Sequence, residues 1–131
     1  MKAPTLFVVD KNPVHLSLIN YYLIMNKFFH IYTFSSGGES LYRLQKQLIP
    51  DFIITDYNPA DYDGIEFVRT VKELSPYIRI IYFSSVDDPS IATKLFEAGA
   101  TDYVLKTSKP NIGISELIKN IRYLHKEIAL P

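Results

Sequence analysis

Hydrophobic and polar positions alternate along this chain in a regular way. Five short runs rich in β-branched and aromatic residues (Leu6 to Val9, Phe29 to Phe34, Phe52 to Thr55, Ile78 to Phe83 and Tyr103 to Leu105) are separated by segments whose apolar residues recur at helical spacing. That alternation predicts strands and helices of a parallel α/β sheet. The first, third and fourth runs are nearly all apolar, as expected of strands covered on both faces. Each helical segment also carries a start signal. Asn12-Pro13 offers a side-chain cap and then a proline at the first helical position, with Leu16, Ile19 and Leu23 on one stripe. Ser36 and Glu39 read as a capping box ahead of Leu41, Leu44 and Leu48. Asp63 and Glu66 open a third helix with Phe67, Val71 and Leu74 as its buried stripe, and Asp88-Pro89 opens a fourth with Ile91, Leu95 and Ala98. Ser115 is the expected start of the last helix, which carries Leu117, Ile121, Leu124 and Ile128. No repeat, low-complexity tract or linker interrupts the pattern, so one domain over residues 1–131 is expected.

Composition narrows the classes. The 131 residues are 47% hydrophobic and 21% charged, which fits a globular chain and excludes collagenous and disordered ones. There is no cysteine, which removes disulfides, thiolate zinc sites, iron–sulfur clusters and cysteine nucleophiles together. Fourteen Lys plus Arg balance fourteen Asp plus Glu, and a zero net charge argues against a nucleic-acid footprint. No apolar run approaches the roughly 20 residues of a membrane span, and the N-terminus has no signal-peptide pattern. A cytoplasmic protein without membrane or direct nucleic-acid contact is expected. His15, His30 and His125 show no metal-ligand spacing and read as surface or helix-packing residues.

The candidate chemistry lies where the strands end. Ligands of an open parallel sheet bind beyond the carboxyl ends of its strands. The first run ends in Asp10-Lys11, the third in Asp56, the fourth in Ser84-Ser85 and the fifth in Lys106. Each residue alone has an ordinary explanation. Together they bring two carboxylates, a hydroxyl pair and an ammonium to one rim. Two carboxylates forced close together need a cation between them, from a metal or a lysine. No glycine-rich turn follows the first run, so a dinucleotide or P-loop site is unsupported.

The order and spacing of Leu6-Phe7-Val8-Val9-Asp10, Pro50-Asp51-Phe52-Ile53-Ile54-Thr55-Asp56, Asp63-Gly64, Ser84-Ser85, Ala98-Gly99-Ala100 and Asp102-Tyr103-Val104-Leu105-Lys106 resemble the receiver domains of two-component response regulators. The resemblance covers essentially the whole chain. It implies a flavodoxin-like, doubly wound sheet in strand order 2-1-3-4-5 with helices on both faces. It further implies Asp56 as phosphoacceptor, Lys106 and Ser84 as its phosphoryl-binding partners, and Tyr103 as an aromatic that moves on activation. Asp10 would belong to an acidic pocket holding Mg2+ together with Asp56 and the backbone carbonyl of Asn58. The implied partners are a histidine kinase or histidine phosphotransfer protein and a downstream protein. The chain would not be an enzyme beyond accepting, and at most losing, its own phosphoryl group. An aspartate is a weak nucleophile toward phosphorus, so such a site works by positioning and by neutralising the phosphoryl oxygens.

Three departures stand out. Lys11 occupies the place where relatives carry a second acid, which predicts weak or absent magnesium binding. Thr107 replaces the proline usual after the lysine, and since a cis bond before a non-proline costs roughly 2.5 to 4 kcal/mol, a trans bond is expected. Lys109-Pro110-Asn111-Ile112-Gly113 lengthens the stretch before the last helix. A rival reading is a pseudo-receiver, an interaction module independent of magnesium and phosphorylation in which Lys11 replaces the metal charge. A hydrolase is a distant third because no rim histidine is evident as a base. A chain ending at Pro131 would signal by binding a partner rather than through an attached output domain.

Overall fold

Side-chain parity along the strands separates the core into two layers. The computed structural model describes residues 3–57 and 61–129, with side chains up to residue 126. Its elements are β1 (Thr5–Val9), α1 (Pro13–Met25), β2 (His30–Phe34), α2 (Gly37–Gln45), β3 (Phe52–Thr55), α3 (Gly64–Leu74), β4 (Arg79–Ser84), α4 (Pro89–Ala98), β5 (Asp102–Leu105) and α5 (Pro110–Ala129). All strand pairs are parallel, in the order β2-β1-β3-β4-β5. This is the flavodoxin-like doubly wound arrangement expected from the sequence. The order reverses between β1 and β3, which places a switch point between them.

Successive strand residues point to opposite faces. Leu6, Val8, Phe52, Ile54, Ile81, Phe83 and Val104 pack under α1 and α5 with Ile19, Leu23, Leu117 and Ile121. Phe7, Val9, Ile53, Ile80 and Tyr82 pack under α2, α3 and α4 with Leu41, Leu44, Phe67, Val71 and Leu95. Burying an aliphatic or aromatic side chain of this size contributes about 1.5 to 3 kcal/mol. The central strands therefore anchor the rim on which the site sits.

The first four caps form where the sequence places them. Asn12 accepts from the Val14 and His15 amides, Ser36 from Glu39, Asp63 from Ile65 and Glu66, and Asp88 from Ser90. Glu39 does not close the box on Ser36; its carboxylate accepts from the Ser35 hydroxyl at 3.2 Å instead. The last helix corrects the expectation of a start at Ser115. It begins at Pro110, so the extra residues extend α5 by more than a turn rather than lengthening a loop. Proline suits the first helical position. The backbone packs closely one turn in, where a Cβ on Gly113 would stand 3.2 Å from the Leu105 carbonyl oxygen and 3.4 Å from the Phe83 ring. The Lys106–Thr107 bond is trans. At the sheet's edge, Phe29 falls outside β2 and is 68% exposed. Ile128 in the last stripe lies outside the described side chains. Among the described residues no helix is long and apolar enough to cross a membrane.

Candidate functional site

Sheet hydrogen bonding continues past the strand ends and pins three of the predicted residues. The Asp10 amide donates to Phe34 at 3.1 Å, the Asp56 amide to Val9 at 3.2 Å and the Lys106 amide to Ser84 at 2.8 Å. Parity then decides where the side chains go. Asp10, Asp56 and Lys106 continue the register that faces α1 and α5, whereas Ser84 and Tyr103 continue the one that faces α3 and α4.

Lys106 brings the two carboxylates together. Its Nζ lies 2.8 Å from Asp10 Oδ2 and 3.8 Å from Asp56 Oδ1. Asp10 is only 2% exposed, and a buried carboxylate persists only when paired and hydrogen-bonded. The lysine supplies the pairing, and the Asn12 amide donates to Asp10 Oδ1 at 2.9 Å. Asp56 is less deeply buried and accepts from the Tyr57 amide at 2.8 Å. The Lys106 ammonium also stands 5.7 Å from the centre of the Phe83 ring.

Ser84 and Tyr103 form a second group. The Ser84 hydroxyl accepts from the Val86 amide at 3.2 Å, and the Tyr103 hydroxyl donates to the Val86 carbonyl at 2.6 Å. Ser84 makes no direct hydrogen bond to Asp56. Burial raises the Tyr103 phenol above its ordinary pKa; a side-chain hydrogen bond with Ser84 opposes the rise, and the Asp56 charge adds to it. Tyr103 stacks on Tyr82, with ring centres 6.3 Å apart and planes 15° from parallel. The Tyr82 hydroxyl donates to the Gly64 carbonyl at 2.5 Å, and burial pushes that phenol far up. Tyr82 thus joins the start of α3, just beyond the Asp56 loop, to the strand pair that carries Ser84 and Tyr103.

Two sequence expectations change here. Lys11 is exposed and makes no ion pair among the described residues, so it does not fill the place of a metal charge. It follows Asp10 by one position as the strand ends, and its long stem leaves the ammonium in water, where hydration is strong. Lys106 is the counter-charge instead. His15 is exposed, as expected of a surface histidine, but it stands at the rim, where the sequence showed no histidine: its Nδ1 is 3.5 Å from Lys106 Nζ and 4.0 Å from Asp10 Oδ2. The signal for it was available, because α1 covers the face to which Asp10, Asp56 and Lys106 belong and its first turn opens at the rim. His15 and Lys106 also line a cleft of about 310 Å³ between α1 and the β5–α5 connection, together with Phe83, Ser85 and Thr107.

Asn58 lies outside the described residues. The described ones hold no cluster of three or more acidic or histidine ligands. Asp10 and Asp56 nonetheless fit magnesium, which takes one or two carboxylates and keeps several waters. Each carboxylate oxygen has two lone pairs, so the bonds to Asn12, Lys106 and Tyr57 leave acceptor capacity on both.

The chain has clear relatives. It is 24% identical over 126 residues to the transcriptional regulatory protein DegU of Brevibacillus brevis, which covers 93% of this chain and 53% of that protein. The chain spans about half the length of the curated relatives it matches first. A LuxR-family two-component response regulator from Aurantimonas sp. SI85-9A1 superposes with a TM-score of 0.75 at 27% identity, over 94% of this chain and 85% of that one. The BeF3-activated DrrB receiver domain superposes with a TM-score of 0.75 at 26% identity, over 92% and 99% of the two chains. A family model described as the response regulator receiver domain matches residues 6–122, and the chain therefore belongs to the response regulator receiver family.

Proposed function

We propose that this receiver accepts a phosphoryl group on Asp56 from a histidine kinase or histidine phosphotransfer protein and presents an altered surface to a downstream protein. The observation that carries this reading is the Lys106 ammonium set between Asp10 and Asp56. An Asp56 oxygen attacks phosphorus as the P–N bond to the donor histidine breaks. The bonding pair leaves with the imidazole nitrogen, which takes up a proton, and an aspartyl phosphate remains. Lys106 neutralises a phosphoryl oxygen during this step, and Asp10 holds the lysine. Ser84 bonds another oxygen by turning away from Val86, which frees the loop that Tyr103 also grips. Asp10 and Asp56 would hold magnesium, which when bound adds positive charge against the phosphoryl oxygens. The protein transforms no substrate but its own Asp56.

Of the basic residues of α5, Lys119, Arg122 and Lys126, one is engaged within the fold. Arg122 donates to the Asn26 carbonyl at 3.0 Å and sits 5.6 Å from the Phe28 ring centre, so it helps to hold α5 on α1.

Phosphotransfer with and without magnesium tests this reading against a pseudo-receiver. Labelling of Asp56 by acetyl phosphate is expected to need magnesium. No labelling at any magnesium concentration would favour the pseudo-receiver.

A further inference from the structure

We infer that His15 is a positioning residue for Lys106, closing a hydrogen-bonded ring that holds the ammonium on Asp10 while Asp56 carries no phosphoryl group. The ring has four members. The Asn12 amide donates to Asp10 Oδ1 at 2.9 Å, and the His15 amide donates to Asn12 Oδ1 at 3.2 Å. Lys106 Nζ donates to Asp10 Oδ2 at 2.8 Å and faces His15 Nδ1 at 3.5 Å. The cap of α1 is therefore bonded to the same carboxylate that holds the lysine. That fixes the first turn of the helix, and with it His15, relative to Lys106.

The distances set a preference. An ammonium has three N–H donors and no acceptor. Asp10 takes one at full strength, and His15 Nδ1, when it carries no proton, can take a second at the long end of hydrogen bonding. Asp56 Oδ1, at 3.8 Å, is beyond hydrogen-bond range but within ion-pair range. For the His15 contact to be attractive, Nδ1 must present its lone pair and Nε2 must carry the proton. The ring thus biases Lys106 toward the Asp10 side, and an arriving phosphoryl group has to draw it across. The side chain of His15 is 47% exposed, so its hold on the lysine is modest compared with that of Asp10.

This inference rests on the reading that Lys106 serves a phosphoryl group on Asp56, and two measurements separate the fate of each. The first needs no phosphoryl donor: nitrogen NMR of His15 in wild type and in Lys106→Met, in mildly alkaline buffer. An unprotonated Nδ1 is expected in wild type, with its resonance shifted in Lys106→Met. A proton on Nδ1, or identical His15 spectra in the two proteins, would overturn the ring. The second is the rate of Asp56 labelling by acetyl phosphate. His15→Leu, which removes the acceptor, is expected to raise it about threefold to tenfold. His15→Gln, whose amide oxygen can still accept from the ammonium, is expected to stay near wild type. Leucine behaving like wild type, or glutamine behaving like leucine, would also overturn it. Should wild type fail to label at all, the receiver reading fails on its own, and the nitrogen spectra still decide the role of His15.

Discussion

Lys106→Met is expected to slow phosphorylation of Asp56 by about two to three orders of magnitude, the usual cost of losing a group that stabilises charge in the transition state. The same change should destabilise the fold. Asp10 would stay buried with the Asn12 amide as its hydrogen-bond donor, His15 4.0 Å away and the Asp56 carboxylate nearby. Removing one member of a buried pair typically costs about 3 to 5 kcal/mol, and a site at the wet rim of a sheet lies lower, at about 2 kcal/mol. Methionine keeps the length and apolar character of the stem that passes Phe83, so the loss reports the charge rather than the packing. Urea unfolding checks the second effect: the midpoint should fall with an unchanged slope. A midpoint equal to that of wild type would mean that Lys106 does not compensate Asp10.

Gly64→Ala should cost about 3 kcal/mol and lower the melting temperature by on the order of 10 °C. Gly64 opens α3 immediately after the Asp63 cap, and a Cβ there would run into the Tyr57 carbonyl oxygen. That oxygen is backbone, so it cannot move aside as a flexible side chain would. The Gly64 carbonyl is held from its other side by the Tyr82 hydroxyl. Relief therefore has to come from shifting either the start of α3 or the segment that follows Asp56. The second shift would displace the Tyr57 amide from the Asp56 carboxylate, so labelling of Asp56 should fall together with stability. Thermal unfolding and labelling of the variant test both parts, and an unchanged melting temperature would contradict the close approach.

The parts of the fold that were legible are those where one physical signal dominates. β1, β3 and β4 are covered on both faces and so read as unbroken apolar runs. β2, at the sheet's edge, has mostly exposed side chains, and there Phe29 has the chemistry of a strand residue although it lies outside. Helices with an Asn, Ser or Asp cap were found at their first turn. The start of α5 is hard to read from sequence because Lys109-Pro110-Asn111 and Gly113 have turn chemistry, and the same proline equally suits a first helical position. The rim residues Asp10, Asp56, Ser84 and Lys106 were visible because each ends an apolar strand. His15 was hidden because it reaches the rim from a helix, and only the pairing of sheet parity with helix placement brings it there. Lys11 is the complementary case: at the end of a strand successive side chains point to opposite sides, so the residue beside buried Asp10 is exposed.

Intact-mass spectrometry with peptide mapping, after treatment of wild type and Asp56→Asn with acetyl phosphate and magnesium, tests most directly that Asp56 is the phosphoacceptor. One added phosphoryl group, mapped to the peptide that holds Asp56 and absent from Asp56→Asn, is the predicted result. Undiminished labelling of Asp56→Asn, or a label on another residue of wild type, would contradict it.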